Sequence, residues 1–561
     1  RALIEASPSL PYDSSLIECL YLNAYPESPE QRIIISALLA KGQKHLLELR
    51  ADLGCMPTDP DSRLSEIKSF EAVCDVLRKA TNPPIRRLSI DVLSDILSLC
   101  VEPAPDWNIP LEYSVPPNIA SLLRITQVCR GWRQAVHDMP RLWQEFSLTL
   151  RSMAHSNSGD CITQWPVNAA ELTLSYSIWA DPRYVCRRGH NPPQDQSDHD
   201  QDDALCLRTV EDLLSSDTVF PAHRMQRLRL GLLSRHLPPA LARLSPDAFP
   251  RLEFLHINCP DVFSKNGLRQ PVVLATTVTA FSNARRLRRL HLTMFADETL
   301  GQRIQLPWSS LAELTLELRG RPEDFIAVLR LCPRLVTLRI DERRIAWHGI
   351  RDEVLAEPVT LDRLQTLRCT AHTSCHLALD APNLATFHAE HIVWYSRFNA
   401  HRNTPFFSRA NGIVALTLSC CDLSHVDVRF VPVLALLPRL RLLVLVRCTV
   451  SLSVVFEALT GGRGEQPTLV PCLQELRVVR SMPAGPRDPR VTAETFTAMI
   501  ASRRGALPGL SRIQRIEVWP RPESMFAPNF DERVLEMLEG DVEVIFRKQV
   551  RWMLHVFVML P

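Results

Sequence analysis

Lysine is nearly missing from this chain. Of its 64 lysines and arginines only six are lysine: Lys41, Lys44, Lys68, Lys79, Lys265 and Lys548. Biased nucleotide composition is the simplest source of that exchange. Glycine is scarce too, 18 in 561 residues, so backbone cradles that let a chain approach a phosphate have few places to form. No Gly-x-x-x-x-Gly-Lys-(Ser/Thr) loop, Gly-x-Ser-x-Gly elbow or His-Glu-x-x-His helix occurs, and nothing points to an intrinsic active site or a cofactor. No apolar run approaches the ~20 residues that span a bilayer; the richest, 431–446, is broken by Pro432, Pro438, Arg439 and Arg441. A net charge of only +2 argues against a broad basic field for nucleic acid. The 16 cysteines lack the regular spacing of a disulfide framework and sit mostly in apolar segments, as reduced thiols of the cytoplasm or nucleus do.

What is present begins with length. A chain of 561 residues exceeds one ordinary core and predicts several domains or a repeat array. Apolar content of 46% and charged content of 22% are globular values. Residues 1–29 read as irregular. Residues 30–80 read as an antiparallel helical hairpin, with Leu39, Leu46, Leu49 and Leu53 facing Ile67, Phe70, Cys74 and Leu77.

Residues 85–143 predict three short helices around one tryptophan. Val92, Leu93, Ile96, Leu97 and Cys100 fall on one helix face. Ser89 is placed to cap that helix, because its hydroxyl can accept an orphan backbone N–H. Asn118 starts a second helix with Leu122 and Leu123 inward, and a further turn carries Val128, Trp132, Ala135 and Val136. A proline-rich insert, 101–117, is expected to loop out between the halves.

This order of residues resembles the F-box, the helical module that docks on the Skp-family adaptor of cullin–RING ubiquitin ligases. Leu88-Ser89-Ile90-Asp91-Val92-Leu93-Ser94-Asp95-Ile96 matches the family's opening, Leu-Pro-x-Glu-(Ile/Val/Leu)-Leu-x-x-Ile, with Ser89 for the proline and Asp91 for the glutamate. Ile125-Thr-Gln-Val128-Cys129-Arg130-Gly131-Trp132 and Leu142-Trp143 match its close, Leu-x-x-Val-Cys-(Arg/Lys)-x-Trp followed by Leu-Trp. The resemblance covers about a tenth of the chain. It implies that Leu88, Val92, Leu93, Ile96, Leu97, Leu122, Leu123, Val128, Cys129, Trp132, Leu142 and Trp143 form the F-box core and the adaptor contact. Scarce lysine would also suit a ligase subunit that avoids modifying itself.

After Trp143 a unit Leu-x-x-Leu-x-Leu keeps returning, often behind a proline, as in Cys332-Pro-Arg-Leu-Val-Thr-Leu338-Arg-Ile340. Its centres are Leu228, Leu255, Leu290, Leu314, Leu338, Leu367, Phe387, Leu416, Leu443, Leu476 and Ile516. The intervals are those of leucine-rich repeats with irregular connections. The expected architecture is therefore α/β: a helical hairpin and three-helix F-box, then a curved leucine-rich-repeat solenoid over 144–520 and a cap over 521–561. A polar stretch at about 181–204 reads as disordered.

Between the two inward positions of each unit stands one outward residue: Arg229, His256, His291, Thr315, Arg339, Arg368, His388, Thr417, Val444, Arg477 and Glu517. Arginine and histidine recur here several times more often than chain-average composition gives. The row Arg229, His256, His291, Arg339, Arg368 and His388 is expected to line the concave face and bind an acidic or phosphorylated protein segment. Arginine would fork onto oxygens and histidine would add charge in mild acid.

Cys369, His372, Cys375 and His376, with His388 and His391 nearby, have the density of a metal site, as more sparsely do Cys186, His190, His199 and Cys206. Cys369 is needed for packing, however, and His388 belongs to an outer face, so no metal is expected. The favoured function is a non-catalytic substrate receptor of an SCF-type ligase, its partners the Skp-family adaptor and a protein substrate. The alternatives are a repeat scaffold whose F-box-like helices serve as a cap, and a metal-dependent enzyme built on residues 369–391.

Overall fold

The structure is a computed structural model, and it describes residues 29–53, 60–81, 89–101, 118–128, 130–149, 159–179, 207–232, 237–259, 277–295, 299–319, 322–341, 357–370, 375–390, 404–423, 430–460, 469–481, 490–504, 511–519, 534 and 542–546. Expectations for 1–28, 102–117, 180–206 and most of 520–561 lie outside the described residues. The chain divides into two compact units, Arg1–Pro182 with Ser216–Arg224, and Arg183–Ser215 with Met225–Pro561.

In the first unit α1 (Pro29–Leu53) and α2 (Pro60–Thr81) pack along their leucine stripes. Leu46 and Leu49 meet Ile67 and Cys74, flanked by Leu39 and Phe70, while Ile35 meets Leu77 and Val73. The early part of one helix faces the late part of the other, so the pair is antiparallel. Gly42 sets the closest approach, because a Cβ there would lie 2.9 Å from Cys74 Sγ.

Helix α3 (Ile90–Cys100) begins as its sequence predicts: the Ser89 hydroxyl accepts the Val92 N–H at 3.3 Å, satisfying one orphan donor. Helices α4 (Asn118–Thr126) and α5 (Arg130–His137) follow, tied by a 3.0 Å bond from Arg133 Nε to the Thr126 carbonyl. After a 3-10 turn at Pro140–Trp143, β1 (Glu145–Thr149) pairs in parallel with β2 (Leu174–Trp179), and α6 (Gly159–Asn168) connects them.

The expected single tryptophan centre is in fact a chain of aromatic rings. Trp143 is buried, donates from Nε1 to the Val136 carbonyl at 2.8 Å and meets Trp165 edge-on at 4.8 Å. Phe146 then bridges Trp165 and Tyr176, and Tyr176 meets Phe220 and donates its hydroxyl to the Val219 carbonyl. Offset and edge-on pairs of this kind add stabilisation beyond the area they bury.

The second unit is mixed α/β around an open parallel sheet. In order its strands are β3 (Met225–Gly231), β4 (Phe254–Asn258), β5 (Arg289–Phe295), β6 (Glu313–Arg319), β7 (Thr337–Asp341), β9 (Thr366–Thr370), β11 (Thr386–Glu390), β12 (Ala415–Ser419), β14 (Leu442–Val446), β16 (Glu475–Val479), β17 (Arg515–Trp519) and β18 (Glu543–Phe546). Two small parallel pairs stand beside it, β8 (Val359–Thr360) with β10 (Leu379–Asp380) and β13 (Asp422–Leu423) with β15 (Thr449–Val450).

The eleven centres read from the sequence stand opposite one another, strand after strand, from Leu228 against Leu255 to Leu476 against Ile516. All are buried, as are their partners two residues on. Helices α7 (Pro322–Arg330), α8 (Leu452–Leu459) and α9 (Ala493–Arg504) cover connections. Phe325, Val328 and Leu329 of α7 are buried, the apolar face its spacing predicts.

A single turn launches many of the strands. In 249–252, 332–335, 381–384, 437–440 and 470–473 the N–H of the fourth residue, a leucine, donates to the carbonyl of the first, with proline second. Proline pre-sets φ for that position and has no N–H to lose. Past the strands a ladder of small polar side chains holds the array. Cys448 Sγ donates to the Leu418 carbonyl at 3.2 Å and Ser481 Oγ to the Leu445 carbonyl at 3.3 Å, while Cys421 Sγ reaches the Ala389 carbonyl. Each stands three residues after the second inward position.

Buried Arg503 donates to the carbonyls of Leu459, Leu469 and Val470. Strands also run past the expected limit of 520: β18 pairs with β17, Val544 opposite Ile516. The stretch read as part of a terminal cap therefore supplies another strand.

Candidate functional site

Two surfaces carry the residues singled out above. On the helical one, Leu97, Leu122 and Trp143 are buried; Leu93, Ile96, Leu123, Trp132 and Leu142 are half-buried. Val92 and Val128 are exposed, at 46% and 53%. Leu88 and Cys129 lie outside the described residues. Leu99, which the sequence reading passed over, is 85% exposed. It follows Val92 by seven and Ile96 by three, so the three form one stripe of α3, turned away from the buried Leu97. The i, i+4, i+7 spacing could have found it.

The second surface is the sheet face opposite the inner leucines. Arg229, His256, His291, Thr315, Arg339, Arg368 and His388 stand in one continuous register row. The expectation that the whole row is open to a partner is overturned in its first part, where Arg229, His256 and His291 are buried. The rings of His256 and His291 stack at 4.0 Å, nearly parallel, and His291 Nε2 lies 3.3 Å from Glu317 Oε1. Thr293 donates to the other oxygen of Glu317 at 3.1 Å.

Along β7, β9 and β11 the row is half-buried and carries its own counter-charges. Arg339 holds Asp341 at 2.6 Å, and Thr370 donates to the second Asp341 oxygen at 2.7 Å. Arg368 lies 3.3 Å from Glu390, and His388 shares a hydrogen bond with Ser419 at 3.2 Å. An arginine already held by a carboxylate still has N–H donors to offer, since a guanidinium carries five. The surface is therefore one of alternating charge rather than the uniformly basic strip the spacing suggests.

His256 and His388 do not supply charge in mild acid, which corrects the second half of that expectation at these two positions. Burial, then the nearby His291 and Arg229, hold the His256 imidazole well below its ordinary range. Burial, then Arg368, push His388 down to about 4, against an opposing pull from Glu390. Both therefore stay neutral where an ordinary histidine protonates.

Among the described residues no group of three or more histidine, cysteine, aspartate and glutamate side chains could hold a metal ion. Cys369 is buried with the inner leucines and His376 packs against Phe387 and Phe406, whereas His388 stands on the opposite face of the sheet. Alternation along the strand thus separates the proposed ligands. His372 and His391, like the 186–206 group, lie outside the described residues. No helix among the described residues is long and apolar enough to cross a membrane. A scan against models of protein families and a search of the curated proteins both return no match.

Proposed function

We propose that this chain is the substrate-recognition subunit of an SCF-type cullin–RING ubiquitin ligase. In this reading residues 85–143 are an F-box that docks on the Skp-family adaptor, and the parallel strands belong to a leucine-rich-repeat solenoid that holds a protein substrate. The observation that carries it is the split in α3: the helix buries Leu97 but leaves Val92 and Leu99 exposed, on a segment whose order of residues resembles the F-box. Exposed leucine and valine on one stripe form the kind of face a partner covers. The repeat reading draws support from the register of the eleven centres and from the ladder Cys421, Cys448 and Ser481, since Leu-x-Leu-x-x-(Asn/Cys) is the repeat's own pattern.

The chain itself contributes no chemistry in this role. It places an acceptor beside a charged ubiquitin carrier, and proximity raises the rate. Arg339, Arg368 and His388 are the part of the row left to meet a substrate, and with Asp341 and Glu390 among them the segment they meet carries both signs of charge or phosphate against arginine. Cys74, Cys100, Cys259, Cys332, Cys369, Cys420, Cys421, Cys448 and Cys472 are free thiols, as this reading expects of a protein of the cytoplasm or nucleus.

The test is copurification of the full chain with a Skp-family adaptor, comparing the parent with the Val92→Asp, Leu99→Asp double variant. Both positions are exposed, so the variant keeps the fold, which circular dichroism checks. Capture by the parent and at least a ~10-fold loss in the variant, the effect of burying unpaired charge in an interface, supports the docking reading. No capture by the parent overturns it and leaves an interaction scaffold capped by these helices.

A further inference from the structure

Three turns at one edge of the second unit's sheet repeat an uncommon backbone conformation. Cys420, Arg447 and Arg480 each follow the last residue of a strand, β12, β14 and β16, and their φ angles are 52°, 52° and 51°. The strands are in register, Ser419 beside Val446 and Val446 beside Val479, so the three residues stand side by side. The fold accounts for the conformation. It lets the Cys420 N–H donate to the Val446 carbonyl at 2.7 Å and the Arg447 N–H to the Val479 carbonyl at 2.6 Å. It also turns the next residues, Cys421, Cys448 and Ser481, onto the ladder of neighbouring carbonyls.

The fold does not account for arginine. Glycine takes a left-handed backbone without steric cost and asparagine tolerates it, whereas a long side chain on an ordinary Cβ is strained there. This chain nevertheless places arginine at the turn in two successive strands, and both side chains are exposed. Strain kept at equivalent positions is a reason to seek a use for the side chains that occupy them.

The two guanidiniums start from neighbouring strands, whose backbones lie ~4.8 Å apart. Arg447 also hydrogen-bonds the Cys420 thiol, which draws its guanidinium along the row. Burial, then Glu390, raise the pKa of that thiol against the pull of Arg447, so Cys420 stays neutral and offsets none of the charge. Glu390 itself is engaged by Arg368 at 3.3 Å. A guanidinium carries five N–H donors in a planar fork, and one bond to sulfur leaves most of them for a ligand. Two such forks at one rim match a phosphate group, which has nearly two negative charges at neutral pH and three acceptor oxygens.

We propose that Arg447 and Arg480 form a binding site for phosphate, either the free ion or a monoester on a larger molecule. The site stands at the ends of β14 and β16, beyond the positions Val444 and Arg477 that continue the row of Arg339, Arg368 and His388. It does not depend on the ligase reading.

Arginine footprinting of the full chain tests it. Phenylglyoxal modifies accessible guanidiniums, and mass spectrometry of the peptides gives a rate at each arginine. The reaction is run in chloride alone, with inorganic phosphate, or with phenyl phosphate, all at equal ionic strength. At about 10 mM of either phosphate a millimolar site is ~90% filled, so Arg447 and Arg480 should react roughly 10-fold more slowly. Arg439, exposed just before the opposite end of β14, should keep its rate. Protection by inorganic phosphate assigns the site to the free ion, and protection by phenyl phosphate alone assigns it to a monoester. Equal rates in all three buffers, or protection that extends to Arg439, would overturn the proposal. An Arg447→Asn, Arg480→Asn variant gives a second measurement. Asparagine accepts the left-handed backbone, so the melting temperature in chloride should hold or rise, and the upward shift that phosphate gives the parent should vanish. A variant that melts earlier in chloride would make the two arginines structural, and one still stabilised by phosphate would place the anion elsewhere; either result refutes the assignment.

Discussion

Two stretches of one register row do opposite things with the same residue types. On β3 to β5 the row is Arg229, His256 and His291, all buried, with two imidazoles stacked and Glu317 beside them. On β7 to β11 it is Arg339, Arg368 and His388, half-buried and interleaved with Asp341 and Glu390. Strand alternation decides which face a side chain occupies. It does not decide whether that face is wet. The first stretch is an internal polar layer whose groups must satisfy one another, and the second is a surface with spare hydrogen-bonding capacity.

Removing a carboxylate from each stretch gives the largest contrast. Glu317→Ala takes away the partner of a buried histidine and a threonine, and is expected to lower unfolding free energy by about 2–4 kcal/mol in urea titration. Glu390→Ala, on the half-buried stretch, is expected to cost under ~1 kcal/mol. Equal losses would erase the distinction between the stretches.

Acid sharpens it next. The folded chain holds the His388 imidazole at about 4, whereas an unfolded histidine titrates near 6.5. Between those values the unfolded chain takes up a proton that the folded one refuses. Stability present at neutral pH is therefore lost as pH falls through this window, by up to about 1.4 kcal/mol per pH unit for this one group. His256 contributes with the same sign. Thermal melts from pH 7 to pH 4.5 should show a flatter decline for His388→Gln than for the parent. An unchanged slope would mean that His388 titrates as an ordinary exposed histidine.

The phase of the second unit was legible because the eleven centres hold only leucine, isoleucine and phenylalanine. Eleven positions repeat that demand, and proline marks the turn before several of them. The pattern weakened where other residues take the inward positions of a strand, in either unit. Phe146 against Tyr176 and Val544 against Ile516 pair in the same parallel manner, but neither pair announces itself as Leu-x-Leu. The Cys421, Cys448 and Ser481 ladder was visible in principle, since its offset from the inward leucines is constant. The cap on α3 was readable because Ser89 Oγ and the Val92 N–H are neighbours along the chain. Burial of Arg229 and His256 was not readable, because it depends on groups distant in sequence that no local period encodes. Leu99 was missed for a simpler reason: a single apolar face was assigned to α3, and the helix carries a second stripe.

The smallest expected effect concerns the ion pair that most resembles a binding feature. Arg368 and Glu390 lie 3.3 Å apart with side chains 39% and 29% exposed. At that exposure water and salt screen the attraction, and ordering two long side chains opposes it. A double-mutant cycle with Arg368→Ala and Glu390→Ala should give a coupling of under ~1 kcal/mol that fades toward zero in ~1 M salt. Such a result means that the carboxylate parks the guanidinium rather than stabilising the fold. An incoming acidic or phosphate group could then displace it at little cost. A coupling of several kcal/mol, insensitive to salt, would place the pair with Glu317 and His291 as internal structure. The half-buried stretch would then have no arginine to spare for a partner.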